Sequence, residues 1–263
     1  MIVEIKTLNS DHMFDYVPQP TDYIWPGFVN GTVGALIGDV GCGKSFFALE
    51  AAIAVGGGLN TDLMGLNPEK KRRVAFFSTE DLPSEINRRG FMIGTNFETQ
   101  DKVWAADGID VHHVQNLDLT KANDKKNIID MMIDDDISLA IFDALSGIHK
   151  LDEYNPVDMI ALSNALKEMA EKTNSAILVV MNTPTAGSRG AKIFLDRMRY
   201  LCRLKRMDEG RKQFEFCSLR TNYATCETKL PLKREFGGVF VLDKSELAEN
   251  KIREKLGNTY AFI

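Results

Sequence analysis

No apolar run in this 263-residue chain approaches the roughly 20 residues needed to cross a bilayer. The start, MIVEIKTLNSDH, has no basic segment followed by an apolar one, so neither an anchor nor a secretory leader is read there. A cytoplasmic protein of bacterial or phage type, with no membrane partner, is the expectation. Cysteine is scarce. The four residues Cys42, Cys202, Cys217 and Cys226 form no C-x-x-C pair, and the four histidines are scattered. That spacing argues against a zinc site or a disulfide framework and for reduced thiols. There is no repeat, no low-complexity tract and no long Pro/Gly/Ser linker. One domain spanning 1–263 is therefore expected, with a short strand or linker segment over about residues 1–30.

What the chain does have is enough apolar residue, 44%, for a large α/β core, and 26% charged residue to solvate it. The net charge of −5 is unevenly spread. Residues 1–188 carry 15 Lys+Arg against 27 Asp+Glu, a net of −12; residues 189–235 carry 13 against 6, a net of +7; the last 28 balance at 4 each. A basic segment on an acidic chain marks a surface facing phosphate or a partner, or else a pair of strands with Lys and Arg on a solvated face. Charge alone leaves both readings open.

Strand and helix alternate through the first two-thirds. Short apolar runs predict strands over 32–37, 74–79, 109–114, 138–143 and 176–181. Helical spacing predicts helices over 44–56, 83–93, 124–134 and 156–173, two of them with Pro at the first position (Pro83, Pro156). Strands joined by helical crossovers mean a parallel sheet. Residues 191–206, 212–221 and 237–243 read as mixed or alternating strands, and 244–256 as a charged amphipathic helix. The fold class is α/β, a mostly parallel twisted sheet flanked by helices, with antiparallel strands near the C-terminus. Phe76, Phe77, Phe142 and the Leu/Met stripe of 159–169 are core by pattern. The acidic run 134–136 reads as a solvated turn, His112-His113 as structural, and KKRR at 70–73 as a solvated loop.

GDVGCGKS, residues 38–45, fits G-x-x-x-x-G-K-[ST] at every fixed position, with a strand before it and a helix after. Composition alone would produce such a match in a chain this long roughly 1% of the time. Glycines at 38, 41 and 43 let the backbone fold tightly and turn its N–H groups inward on phosphate oxygens. The nucleotide-binding set is then Gly38, Asp39, Val40, Gly41, Cys42, Gly43, Lys44, Ser45 and the following Phe46. Lys44 brings charge to the β- and γ-phosphates, the Ser45 hydroxyl is a ligand for Mg²⁺, and the helix N-terminus adds its positive end. The expected cofactors are ATP and Mg²⁺.

Such a loop needs a carboxylate at the end of another buried strand, and LAIFDAL offers Asp143 for the metal shell. VAFFSTED offers Glu80 and Asp81. A carboxylate there activates the attacking water, a role given to Glu80, while Asp81 suits a helix cap. VVMNT places Asn182 where a polar side chain meets the γ-phosphate.

This order, P-loop, strand-Glu-Asp, strand-Asp, strand-polar, resembles the RecA-like P-loop ATPase core. More narrowly it resembles the RepA-type hexameric replicative DNA helicases of broad-host-range plasmids. The likeness runs through DYIWPGFVNGTVGALIGDVGCGKSFFALEAA, VAFFSTEDLPSEINRR, LAIFDALSGIHKLDE, AILVVMNT and SRGAKIFLDRMRYL, then weakens. It implies a homo-oligomer, a hexameric ring with ATP at each subunit interface, that translocates on single-stranded DNA. It implies catalytic roles for Lys44, Glu80 and Asn182, and an arginine finger at Arg199, with Arg189, Arg197 and Arg203 as competitors. Thr185, Ser188, Arg189 and Lys192 would face DNA. Two departures stand out: that family usually has His where this chain has Asn182, and its DNA-facing loop is considerably longer than TPTAGSRG. Origin attachment would come from an initiator or primase partner. Two other functions fit the same residues, a RecA/RadA-like recombination or annealing ATPase and a regulatory or defence ATPase acting on a protein partner.

Overall fold

The computed structural model describes residues 20–58, 63–208, 210, 212–223 and 228–248. Cys226, the N-terminal segment up to residue 19 and the end of the helix expected over 244–256 lie outside them. In chain order the elements are β1 (Tyr23–Trp25), β2 (Phe28–Val29), β3 (Val33–Gly38), α1 (Lys44–Gly57), β4 (Val74–Ser78), α2 (Pro83–Gly94), α3 (Thr99–Gly108), β5 (Ile109–His113), α4 (Ala122–Asp134), β6 (Leu139–Asp143), α5 (Pro156–Thr173), β7 (Ala176–Asn182), α6 (Arg189–Asp196), β8 (Tyr200–Arg206), β9 (Gln213–Thr221), β10 (Lys229–Arg234) and β11 (Phe240–Leu242). Residues 244–248 are helical. No helix among the described residues is long and apolar enough to cross a membrane.

The runs VGALIG, VAFFS and LAIFD are buried at every position, as is AILVVMN up to its final Asn, because all four become central strands covered on both faces. The main sheet has nine strands in the order β11-β10-β9-β8-β3-β7-β6-β4-β5. Every pairing from β8 through β5 is parallel, and β9, β10 and β11 continue it antiparallel. Helices α1, α2 and α3 cover one face, through Phe47, Ile86, Ile93 and Ala105. Helices α4, α5 and α6 cover the other, through Met132, Leu162 and Phe194. The small antiparallel sheet β1–β2 docks by an aromatic cluster in which Phe28 stacks on Tyr200 and Trp25 Nε1 donates to the Tyr200 hydroxyl at 2.9 Å.

One strand expectation is corrected, one helix lies where none is expected, and one loop expectation is corrected in part. The segment 191–206 is not one strand. Ala191, Phe194 and Leu195 are buried at i, i+3 and i+4, which makes α6 a helix, and the strand begins at Tyr200. Helix α3 has no apolar stripe to betray it. It lies so close to α1 that a Cβ on Gly108 would sit 1.9 Å from the Gly56 carbonyl oxygen. The KKRR run is a loop with Lys70 and Lys71 exposed, as expected, but Arg72 departs from the solvated reading. The Arg72 side chain is 3% exposed and reaches the Asp22 carboxylate and, at 2.6 Å, the Tyr23 carbonyl. Lys71 pairs with Asp107 and Arg73 with Asp110. The other two minor readings hold, since Asp134, Asp135 and Asp136 are exposed and His112 stacks on Phe77.

Removing the Arg72 guanidinium takes this donor from the Tyr23 carbonyl and leaves Asp22 with Lys70 as its partner, loosening the contacts that hold β1 in place. Arg72→Ala should lower stability by about 2 kcal/mol, whereas exposed Lys70→Ala should change it by less than about 0.5 kcal/mol. Urea unfolding midpoints of the two variants check this.

Candidate functional site

The C-terminal ends of the parallel strands meet along one edge, the usual place for a ligand in an open α/β sheet. Register brings the chemistry together: Gly38 of β3 pairs with Asn182 of β7, and Ser78 of β4 with Asp143 of β6. The loop after β3 turns directly into α1. Gly43 at its N-cap has φ of 97°, a left-handed conformation that a side chain would strain. Gly38 is needed for a different reason, since a Cβ there would lie 2.6 Å from the Leu204 carbonyl oxygen of β8.

Lys44 is buried and its ammonium bonds to three oxygens: Gly38 O at 2.9 Å, Asp39 O at 2.9 Å and Asn182 Oδ1 at 3.0 Å. An ammonium has three N–H groups, so all are engaged. Ser45 Oγ donates to Asp143 Oδ1 at 3.1 Å. Burial pushes the Asp143 carboxyl up to about 6, and the nearby Asp81 and Glu80 charges add to the rise against the Ser45 hydrogen bond and Arg89. Thr79 fixes the peptide that follows: its amide and hydroxyl both donate to the Asp143 carbonyl, at 2.8 and 3.1 Å, and its oxygen accepts from Ala144 N. Glu80 is exposed and accepts from Ser146 Oγ at 3.0 Å. Asp81 does not cap α2; it forms an ion pair with Arg89 at 2.6 Å.

These residues line a cleft of about 570 Å³ that runs from Gly41, Lys44 and Ser45 past Glu80 and Asp143 to Asn182, Thr185 and Ser188. The oxygen pair Ser45 and Asp143 fits Mg²⁺. That ion keeps several waters and takes one or two protein ligands plus phosphate, and no all-protein cage of His, Cys, Asp or Glu exists among the described residues. A buried carboxylate whose ionisation is disfavoured is also one that a cation would relieve.

The sequence expectations map unevenly onto this cleft. Lys44, Ser45, Glu80, Asp143 and Asn182 converge. Val40 is 82% exposed, and Phe46 is buried beneath Arg234, whose guanidinium lies 5.7 Å from its ring centre. Ser188 is buried at the end of the cleft, with its hydroxyl donating to the Thr185 carbonyl at 2.7 Å and closing the turn. Thr185, Arg189 and Lys192 are exposed. Arg199 is exposed at the start of β8, where its amide donates to Val33 O at the far end of β3 from the loop. About five strand residues, or roughly 17 Å, separate it from Gly38 in its own chain. Sequence reasoning missed Arg206, which donates to Gly41 O at 2.7 Å, and Arg234, which lies over Phe46 and Phe240. No local motif signals either; strand pairing alone brings them to the loop.

The AAA domain family profile matches residues 2–188. The chain belongs to this AAA domain family. It is accordingly read as a nucleotide-binding P-loop ATPase. In fold it is similar to a KaiC-like protein from the hyperthermophilic archaeon Pyrococcus horikoshii OT3. The TM-score there is 0.60 at 15% identity, over 85% of this chain and 99% of that one. It is also similar to a RadB recombinase, at a TM-score of 0.54 and 15% identity, over 81% of this chain and 91% of that one. At these identities the likeness concerns the fold alone.

The raised Asp143 carboxyl has a stability consequence. Its ionisation costs nothing below the unfolded value near 3.8, and the cost develops as pH rises through about 6. Asp143→Asn should therefore stabilise the nucleotide-free protein at pH 8 by at most about 3 kcal/mol, with the gain vanishing near pH 4, while hydrolysis is lost. Urea melts at the two pH values and an ATPase assay check both halves.

Proposed function

We propose that the chain is the ATPase subunit of an oligomeric motor on single-stranded DNA, of the kind represented by RepA-type replicative helicases of plasmids, phages and mobile elements. The observation that carries the reading is the Lys44–Asn182 hydrogen bond. It joins the ammonium that meets phosphate to a strand leading directly into residues 183–188 and exposed Arg189 and Lys192. When a nucleotide occupies the loop, Lys44 turns to the β- and γ-phosphates and lets go of Asn182. The freed amide meets the γ-phosphate, and the segment behind it shifts with it.

Glu80, steadied by Ser146, orients the attacking water and accepts its proton. Ser45 and Asp143 would hold Mg²⁺, which neutralises phosphate charge when bound. The resemblance to RepA-type helicases implies an arginine finger at Arg199, whose distance from its own cleft suits a reach to a neighbour's nucleotide, a contribution on the order of 10³–10⁵ in rate in NTPases. The chain works as one ATPase unit in a closed homo-oligomer, hexameric in this reading, with an initiator or primase partner for loading. A strand-binding recombination ATPase is the second reading. It is favoured by the shortness of the loop over residues 183–188, in which Ser188 is buried, and by the RadB-like fold.

Lys44→Ala should abolish ATP binding. Glu80→Gln should keep binding and slow hydrolysis by about 10²–10⁴. Equilibrium nucleotide binding and steady-state phosphate release separate the two. Wild type should hydrolyse ATP faster with single-stranded DNA and run as a closed oligomer by light scattering. Asn182→Ala should retain nucleotide binding and lose the DNA stimulation. Hydrolysis indifferent to DNA in wild type would overturn the motor reading, and open filaments would favour the recombination reading.

A further inference from the structure

The basic segment of the sequence folds into β8, β9 and β10, and strand alternation sorts its side chains. Tyr200, Cys202, Leu204, Phe214, Phe216 and Leu232 point into the core. Arg203 and Lys205 of β8 and Lys229 and Lys233 of β10 therefore share the opposite face. The register aligns them. Arg203 and Lys229 both lie opposite Cys217, Lys205 lies opposite Glu215, and Lys233 lies opposite Gln213. Arg203 and Lys229 thus stand two strands apart, roughly 10 Å, with an uncharged thiol between them. Five cations, these four and Arg220, face one acid, Glu215, on these three strands, and Arg220 turns to Asp196 at the end of α6.

Sheets usually set opposite charges across strands, and like charges there destabilise. Here the repulsion is largely uncompensated. Lys233 pairs with Glu235 just past the end of β10, but Arg203, Lys205 and Lys229 form no ion pair among the described residues. On this side α5 packs over β3 and β7 and α6 reaches β9 at Arg220, and Lys205, Lys229 and Lys233 stay exposed. Among the described residues, large exposed apolar side chains stand just past the ends of these strands, at Met207, Tyr223 and Phe236, and none lies within β8, β9 or β10. A protein partner would be expected to use apolar and aromatic anchors, and protein interfaces are depleted in lysine. A lysine-rich face without such anchors suits a polyanion.

We propose that this face of β8–β10 is a second binding surface for the phosphate backbone of single-stranded DNA, separate from the loop 183–188 and α6. The inference rests on the proposed action on single-stranded DNA. Its contacts are ionic and made with backbone, so binding there is indifferent to base sequence and steeply dependent on salt. The surface lies on strands continuous with β3, whose end carries the phosphate loop, so the bound strand is held against the rigid part of the subunit.

The test is fluorescence anisotropy of a labelled oligothymidylate of about 30 nucleotides on the full chain, across about 50–300 mM NaCl. The variant is Lys205→Gln/Lys229→Gln/Lys233→Gln. Each lost phosphate contact on a single strand should flatten the slope of log K against log [NaCl] by about 0.7, so about 2 for three, with affinity at least about tenfold lower near 100 mM. DNA-free ATPase and oligomer mass should be unchanged. Should the triple variant fold poorly, Lys229→Gln alone should flatten the slope by about 0.7. Unchanged slope and affinity, while Arg189→Ala/Lys192→Ala weakens binding, would overturn this surface and leave the motor reading intact. A change in mass without a change in affinity would make the face a subunit interface, which also overturns it. Wild type that fails to bind the oligonucleotide would overturn the motor reading itself and this surface with it.

Discussion

One ammonium group holds the centre of this molecule. Lys44 reaches back from the first turn of α1 to the end of β3 and across to the end of β7. Those three hydrogen bonds are available because the sheet places β3 beside β7. The strand order in turn depends on crossover helices long enough to carry β4, β5 and β6 past that pair. An unpartnered buried lysine would be costly, and here the strand ends and the loop satisfy it. The arrangement is thus poised rather than idle. Any anion that competes for the ammonium must displace one of these oxygens, and that of Asn182 is the only side-chain acceptor of the three.

Much of this was legible in the sequence, for physical reasons that differ by residue. The phosphate loop is readable because its glycines, Lys44 and Ser45 act through local backbone geometry. The central strands are readable because burial on both faces demands unbroken apolar runs, and Asp143 and Glu80 stand out because they end such runs. Helix α6 was absorbed into the strand that follows it although Ala191, Phe194 and Leu195 carry helical spacing, since at eight residues it repeats that spacing barely twice. Helix α3 could not be read from periodicity, because small residues at Gly56 and Gly108 and not an apolar stripe bring it to α1. β10 contains Pro231, which argues against an interior strand. Arg72, Arg206 and Arg234 owe their roles to partners distant in sequence, and no spacing rule reaches them.

The family profile ends at residue 188, yet the strands beyond it complete the cleft. β8 supplies Arg206 against the loop, β10 supplies Arg234, and β11 supplies Phe240, whose ring packs on Phe46 and Phe47. Of these, β8 and β10 lie in the one segment of net positive charge, residues 189–235, of an acidic chain. Nucleotide chemistry and cationic surface are therefore built on one continuous sheet, a few strand widths apart.

Helix α1 is buried along its whole length apart from Ser45. It has no wet side on which to roll, the close approach of Gly56 to Gly108 bars it from sliding, and Phe47 is stacked on Phe216 of β9. Mechanically it is a fixed axle. The displacement that accompanies a nucleotide cycle must then fall on the parts with free surface: the exposed Glu80, the end of β7 and the turn that follows it. The division between a stationary half and a travelling half is set by where water reaches.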